Sequence, residues 1–238
     1  MSSDFEELDY QQTPLGDLIL RRRRMLSLGG IEVYEVKLGD AFLMSSLFHT
    51  VEEAVADLGL AALSFSELDV VVGGLGLGYT AVAALQNPSV RSLVVVEALA
   101  PVIDWHVRGL VPLGPRLTGD ARCRLLQADF FALAAAGEMS FDASRRRFHA
   151  VLLDIDHSPR DLLHARHAAF YEPMGLRSLA AHLHRGGVFA LWSDEAPDDA
   201  FLETLDDVFA EVEARVVPFQ NPLLECESRS TVYMARNP

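Results

Sequence analysis

The sequence predicts an α/β protein: a mostly parallel sheet covered by helices on both faces, ended by an antiparallel hairpin and preceded by a small β-hairpin appendage. Three observations carry this. Apolar runs rich in β-branched residues, such as Val70-Val71-Val72 and Val94-Val95-Val96, alternate with helical stretches from about residue 50 onward, as buried parallel strands and their crossover helices do. Before residue 48 the pattern is instead short alternating runs broken by glycine turns, which means antiparallel hairpins. Where the first long strand gives way to its helix lies Gly73-Gly74-Leu75-Gly76-Leu77-Gly78, a strand–turn–helix junction. The expected division is 1–48 for the appendage and 49–238 for the α/β unit.

In chain order, Leu18-Ile19-Leu20, 31–36 and 41–44 are the appendage strands, separated by Gly29-Gly30 and Gly39-Asp40. Arg21-Arg22-Arg23-Arg24, set between apolar neighbours, reads as an exposed strand or hairpin segment and not as a nucleic-acid arm. From 50 to about 63 a helix is expected: Thr50 as cap, Glu52 and Glu53 in the first turn, Val51, Val55 and Leu58 on one face. The glycine turn and its helix follow, ended by Asn87-Pro88. A second strand ends at Glu97, a short helix spans 101–110, a third strand covers 122–126, and 130–136 is helical. The fourth strand, 148–153, runs into Asp154-Ile155-Asp156-His157. Pro173 opens a helix whose apolar side includes Leu176, Leu179, Ala180 and Leu183, with Gly186-Gly187 as its stop. The fifth strand is 188–192, a helix covers 201–214, and runs at 215–219 and 230–234 form the closing hairpin.

Half of the 238 residues are hydrophobic, enough for a sizeable core, and no stretch resembles a signal peptide or a membrane span. Acidic residues outnumber basic ones 34 to 20, a net charge of −14, which disfavours nucleic acid and mildly favours a cationic partner. Cys123 and Cys226 make no metal-ligand spacing and read as reduced core thiols of a cytoplasmic protein.

The chemistry-bearing residues gather at the ends of the parallel strands. Glycines at 74, 76 and 78 free the backbone for positive φ and for close approach of a ligand, and the helix behind them offers unpaired N–H groups. Glu97 comes about 20 residues later at the tip of the next strand, placed to accept from ribose hydroxyls. Together they point to a nucleoside-bearing cofactor. Asp129 either joins that site or caps the helix after it. Asp154, Asp156 and His157 lie past a central strand, where a carboxylate beside an imidazole suits deprotonation of an amine or hydroxyl nucleophile; Asp156 and His157 alternatively cap 161–163. No metal is expected, since His164 and His167 fall in an ordinary helix–loop stretch. Tyr79, Trp105 and His106 either pack in the core or face the pocket.

Gly74-Leu75-Gly76-Leu77-Gly78, Glu97, Ala128-Asp129, Leu152-Leu153-Asp154 and the stretch 183–192, with the hairpin appendage ahead of them, resemble the class I S-adenosylmethionine-dependent methyltransferase superfamily, and within it the spermidine-synthase-like, or aminopropyltransferase-like, branch. The resemblance implies a Rossmann-like fold and S-adenosylmethionine, or its decarboxylated form, as cofactor. The glycines would face its amino-acid and ribose portions, Glu97 would hold the ribose hydroxyls, and Ala128-Asp129 would flank the adenine with Asp129 accepting from its amino group. Asp154 falls where such enzymes carry the carboxylate that orients or deprotonates an attacking amine. Homodimerisation through the appendage is also implied.

Departures from the aminopropyltransferase pattern are Leu77 where an aspartate helps hold the donor's amino end, and His157 at the second acidic position of the post-strand motif. Leu43-Met44-Ser45-Ser46-Leu47 stands where a glutamine and an acidic pair help bind the amine. The expectation is therefore a transferase moving a methyl group to a small nucleophilic acceptor, a cationic amine among the candidates. Spermidine synthesis from the decarboxylated donor, a catalytically inactive cofactor-binding protein and a nicotinamide-dinucleotide protein are the alternatives.

Overall fold

A computed structural model describes residues 4–136, 141–142 and 146–238. Two sheets organise it. The first is antiparallel, with β1 (Phe5–Thr13), β2 (Gly16–Met25), β3 (Ile31–Leu38) and β4 (Ala41–Ser45) in sequential order. The four arginines all lie in β2, with Arg21 and Arg22 paired to Glu35 and Glu6 at 2.6 Å on the neighbouring strands.

The second sheet holds β5 (Leu68–Gly73), β6 (Val90–Glu97), β7 (Cys123–Gln127), β8 (Phe148–Leu153), β9 (Leu183–Ser193), β10 (Glu211–Asn221) and β11 (Cys226–Arg236). Its spatial order is β10-β11-β9-β8-β5-β6-β7. The five strands from β9 to β7 are parallel and β11 and β10 antiparallel. Strand order reverses between β5 and β8, and in open α/β sheets the carboxyl ends at such a reversal form the ligand crevice. The fold is thus the mixed, Rossmann-like α/β architecture the sequence predicts.

Every residue of β5 is buried because both faces are covered. Val70 and Val72 join one apolar cluster and Val71 the other, the period-2 alternation of a pleated strand. On the first face lie α1 (Thr50–Ala61), α2 (Tyr79–Gln86), α3 (Ala100–Val107) and α4 (Gly114–Thr118). Leu18, Leu20 and Val36 of the four-stranded sheet extend the same cluster. The second face carries α5 (Phe130–Ala135), α6 (Pro173–Ala180) and α7 (Asp199–Asp206). Trp105 on α3 ties the two sheets: its indole N–H donates to Asp9 of β1 at 2.7 Å. Among the described residues, no helix is long and apolar enough to cross a membrane.

Several expected elements are redrawn. The helix expected over 201–214 ends at Asp206, where Asp206-Asp207 face the negative end of the helix dipole. From Glu211 the chain alternates and pairs with β11 along its length. Leu183 belongs not to α6 but to β9, paired with Phe148. Gly186 takes φ +74° inside that strand, where the pairing register shifts. The α1 cap is His49, with Thr50 the first helical residue. Neither thiol is a core thiol: Cys123 is half-buried and Cys226 exposed.

Candidate functional site

The loops after β5, β6 and β8, the first turn of α1 and the inner side of the four-stranded sheet enclose one cavity of about 260 Å³, a little below the roughly 300 Å³ and more usual for small-molecule sites. On its wall stand Gly74, Gly76, Glu97, Asp129, Asp154 and His157. Six of the nine residues singled out in the sequence therefore meet, from four separate stretches of chain.

The glycine turn is shaped by its surroundings. Gly74, at φ +95°, donates its N–H to Val96 O at 2.9 Å, and a Cβ there would strike the Asp154 carbonyl oxygen. The glycine lets the β5 and β8 termini touch. Gly76 accepts through its carbonyl from His106 Nε2–H at 2.9 Å. His106 Nδ1 is buried without a partner, and burial lowers the ring's pKa, so a neutral imidazole braces the loop. The thioether of Met44, from β4, lies directly over Gly76.

Glu97 links the two adjacent turns. Its Oε2 accepts from Leu75 N–H at 3.1 Å and its Oε1 from Leu99 N–H at 2.8 Å. Burial pushes its pKa up, and the N–H groups of Leu99 and Leu75 pull the other way. Glu97 stands on the cavity wall with both oxygens already accepting from backbone N–H groups.

Asp154 Oδ2 accepts from the Thr80 hydroxyl at 2.9 Å. Burial pushes its pKa up to about 6. The residue the sequence did not single out is Glu52. In the sequence it is one of two first-turn acids of α1, yet it shares the cavity wall with Asp154. Burial, and then the Asp154 charge, raise it to about 8. Nothing local separates Glu52 from Glu53; only the packing of α1 against the sheet brings it to Asp154. Two carboxyl groups with no cation between them hold a proton near neutrality and attract a positive ligand.

Asp129 does two things: its Oδ1 caps α5 by accepting from Phe131 and Ala132 N–H, while Oδ2 faces Arg166 at 3.3 Å across the cavity mouth. Three expected site residues are not on the wall. Asp156 is fully buried and its oxygens are taken, accepting from Leu163 N–H at 2.8 Å and the Tyr171 hydroxyl at 2.9 Å, with His167 Nδ1 at 2.8 Å. It fastens the loop after β8 and has no path to a substrate. Gly78 sits behind the turn against Leu117 and His106, and Ala128 donates its N–H to Glu97 O at 3.0 Å. Trp105 lines the cavity, while Tyr79 stacks on His49 at 4.3 Å, outside it. His164 Nδ1 is occupied by Arg166 N–H at 3.1 Å.

The fold and site define a Rossmann-like unit with an acidic strand-end crevice, roofed by a β appendage. The same architecture spans 98% of this chain in a spermidine synthase from Thermotoga maritima and in a spermidine synthase in complex with the transition state analogue AdoDATO. In each case the TM-score is 0.70, the identity 14%, and 72% of the other chain is covered. At that identity the likeness is one of fold. No model of a known protein family and no curated protein sequence matches this chain.

Proposed function

We propose that the chain is a cytoplasmic transferase that binds S-adenosylmethionine or its decarboxylated form and moves an alkyl group from the sulfonium to a nucleophilic acceptor. The observation supporting this best is that Glu97 and Asp154, at the ends of β6 and β8, flank the glycine turn on one cavity. A donor held through its ribose by Glu97 runs its sulfonium arm past the glycine turn toward Asp154. The acceptor's lone pair then displaces the thioether in line, and Asp154 takes the acceptor's proton. The protein's contribution is positioning and proton transfer. His157, on the same wall, is the second candidate for proton handling.

Methyl is the group we favour, because Leu77, where a carboxylate would steady an aminopropyl ammonium, is buried and apolar. Aminopropyl transfer is the second reading, supported by Glu52 and Asp154, which repel a donor carboxylate and suit a decarboxylated, cationic arm. Calorimetry with S-adenosylmethionine, the decarboxylated donor, S-adenosylhomocysteine, methylthioadenosine and NAD ranks these readings. Tight binding of the carboxylated donor supports methyl transfer, preference for the decarboxylated one supports aminopropyl transfer, and binding without turnover supports an inactive cofactor-binding protein. Glu97→Ala is expected to weaken any adenosine ligand by about 1–3 kcal/mol. Unchanged affinity would remove Glu97 from the site.

A further inference from the structure

Beyond the donor end, the cavity changes character. Its far wall is the inner side of the four-stranded sheet, where Leu18, Val36, Leu38, Phe42 and Leu43 present hydrocarbon, and the side chains of Trp105 and Trp192 close it. None of these offers a charged group to a second ammonium. The carboxyl groups beside this wall, Glu52 and Asp154, line the same cavity and act on each other electrostatically, while the Ser45 hydroxyl is taken up by Leu47 N–H. An acceptor that fills such a space has one cationic or nucleophilic nitrogen and an apolar body.

Resting on the transferase reading above, we propose that the acceptor is an apolar primary amine, its nitrogen seated on the Glu52–Asp154 pair and its hydrocarbon laid against the four-stranded sheet. The ammonium arrives paired with the carboxylates and cedes one proton to them. The free nitrogen attacks the donor carbon, the C–S bond breaks, and its electron pair stays on sulfur as the thioether. The new C–N bond leaves the product nitrogen positively charged beside the same pair. A diamine of similar length is a poor fit, because its second ammonium would be stripped of water against Leu18, Val36 and Leu43 without a partner.

The protein carries its own reporter, since both of its tryptophans line this cavity. Tryptophan emission is followed while n-butylamine, n-hexylamine, n-octylamine and 1,4-diaminobutane are titrated into the full chain without donor. The dissociation constant is expected to fall about fourfold for each added methylene, with diaminobutane weaker than butylamine. Glu52→Gln is expected to weaken every monoamine by a similar factor and to leave the length dependence intact. Phe42→Asp, at an exposed position that tolerates polarity, is expected to flatten that dependence. Affinity independent of chain length, or diaminobutane binding more tightly than butylamine, overturns the proposal. Donor calorimetry on the same protein separates the two claims. Loss of donor binding with the length dependence intact defeats the transferase reading alone, while donor binding without the length dependence defeats the amine assignment alone.

Discussion

Asp69 and Asp154 stand at opposite ends of the parallel sheet, and their surroundings differ in one respect. Asp69, at the amino end of β5, is 2% exposed. It accepts from the Ser92 hydroxyl at 2.6 Å and from Arg146 at 2.8 Å, with Arg91 paired to its other oxygen. Burial alone would raise its pKa, but Arg91, Ser92 and Arg146 overcome that and hold it below the usual carboxylate range. Asp154, at the carboxyl end of β8, has one neutral donor, Thr80, and a second carboxyl group, Glu52, as its neighbour. One end of the sheet neutralises its buried acid from within the chain. The other sets a second carboxyl group beside its buried acid.

The largest expected effect that tests this contrast is on rate. Asp154→Asn should cut turnover by roughly two to four orders of magnitude, the usual worth of a positioned base, while the melting temperature stays level or rises. A melting temperature that dropped with activity would make Asp154 a structural acid like Asp69. Next comes the converse substitution. Asp69→Ala removes the buried carboxylate shared by Arg91 and Arg146, which keep only Glu67 and Asp142 as acidic partners among the described residues, and should cost about 2 kcal/mol, discounted because both arginines are partly exposed. That is a fall of roughly 4–8 °C in a melt, with donor affinity by calorimetry unchanged.

The smallest effect is in pH dependence, and the two ends should have opposite signs. Because Asp69 titrates below its ordinary value, its contribution is present above the unfolded pKa of about 4 and is lost as pH falls through the lower folded value. Glu52 and Asp154 titrate above theirs, so their contribution is full below about pH 4 and is lost as pH rises through about 6 and 8. Melts between pH 5 and 9 should therefore decline less in Glu52→Gln than in the parent, by something on the order of 1 kcal/mol at the alkaline end. Parallel curves would show that Glu52 and Asp154 do not oppose each other in the folded chain.

How much of this was legible in the sequence follows from how local each signal is. The β5 valines, the glycine turn and Glu97 stand close in sequence and belong to one strand–turn–helix–strand unit, so residue order alone places them on one crevice. Asp154 follows from its position after an uninterrupted apolar strand. Asp156 does not: the groups that consume it, Leu163 N–H, His167 and Tyr171, come from a short 3-10 turn over Ala165–Phe170 and its flanks. Periodicity does not reveal such a turn. Glu52 illegibly resembles any first-turn acid of an amphipathic helix. The early end of α7 is a case of pairing overriding helical propensity, since β10 gains a full ladder with β11.

The bond from Trp105 to Asp9 joins the outermost antiparallel strand to a ring that forms part of the chamber wall. The rim of the molecule is thereby tied to its interior: Asp9 on β1 anchors the indole that forms part of that wall. A substitution at Asp9 would alter the support of that wall without replacing Glu97 or Asp154.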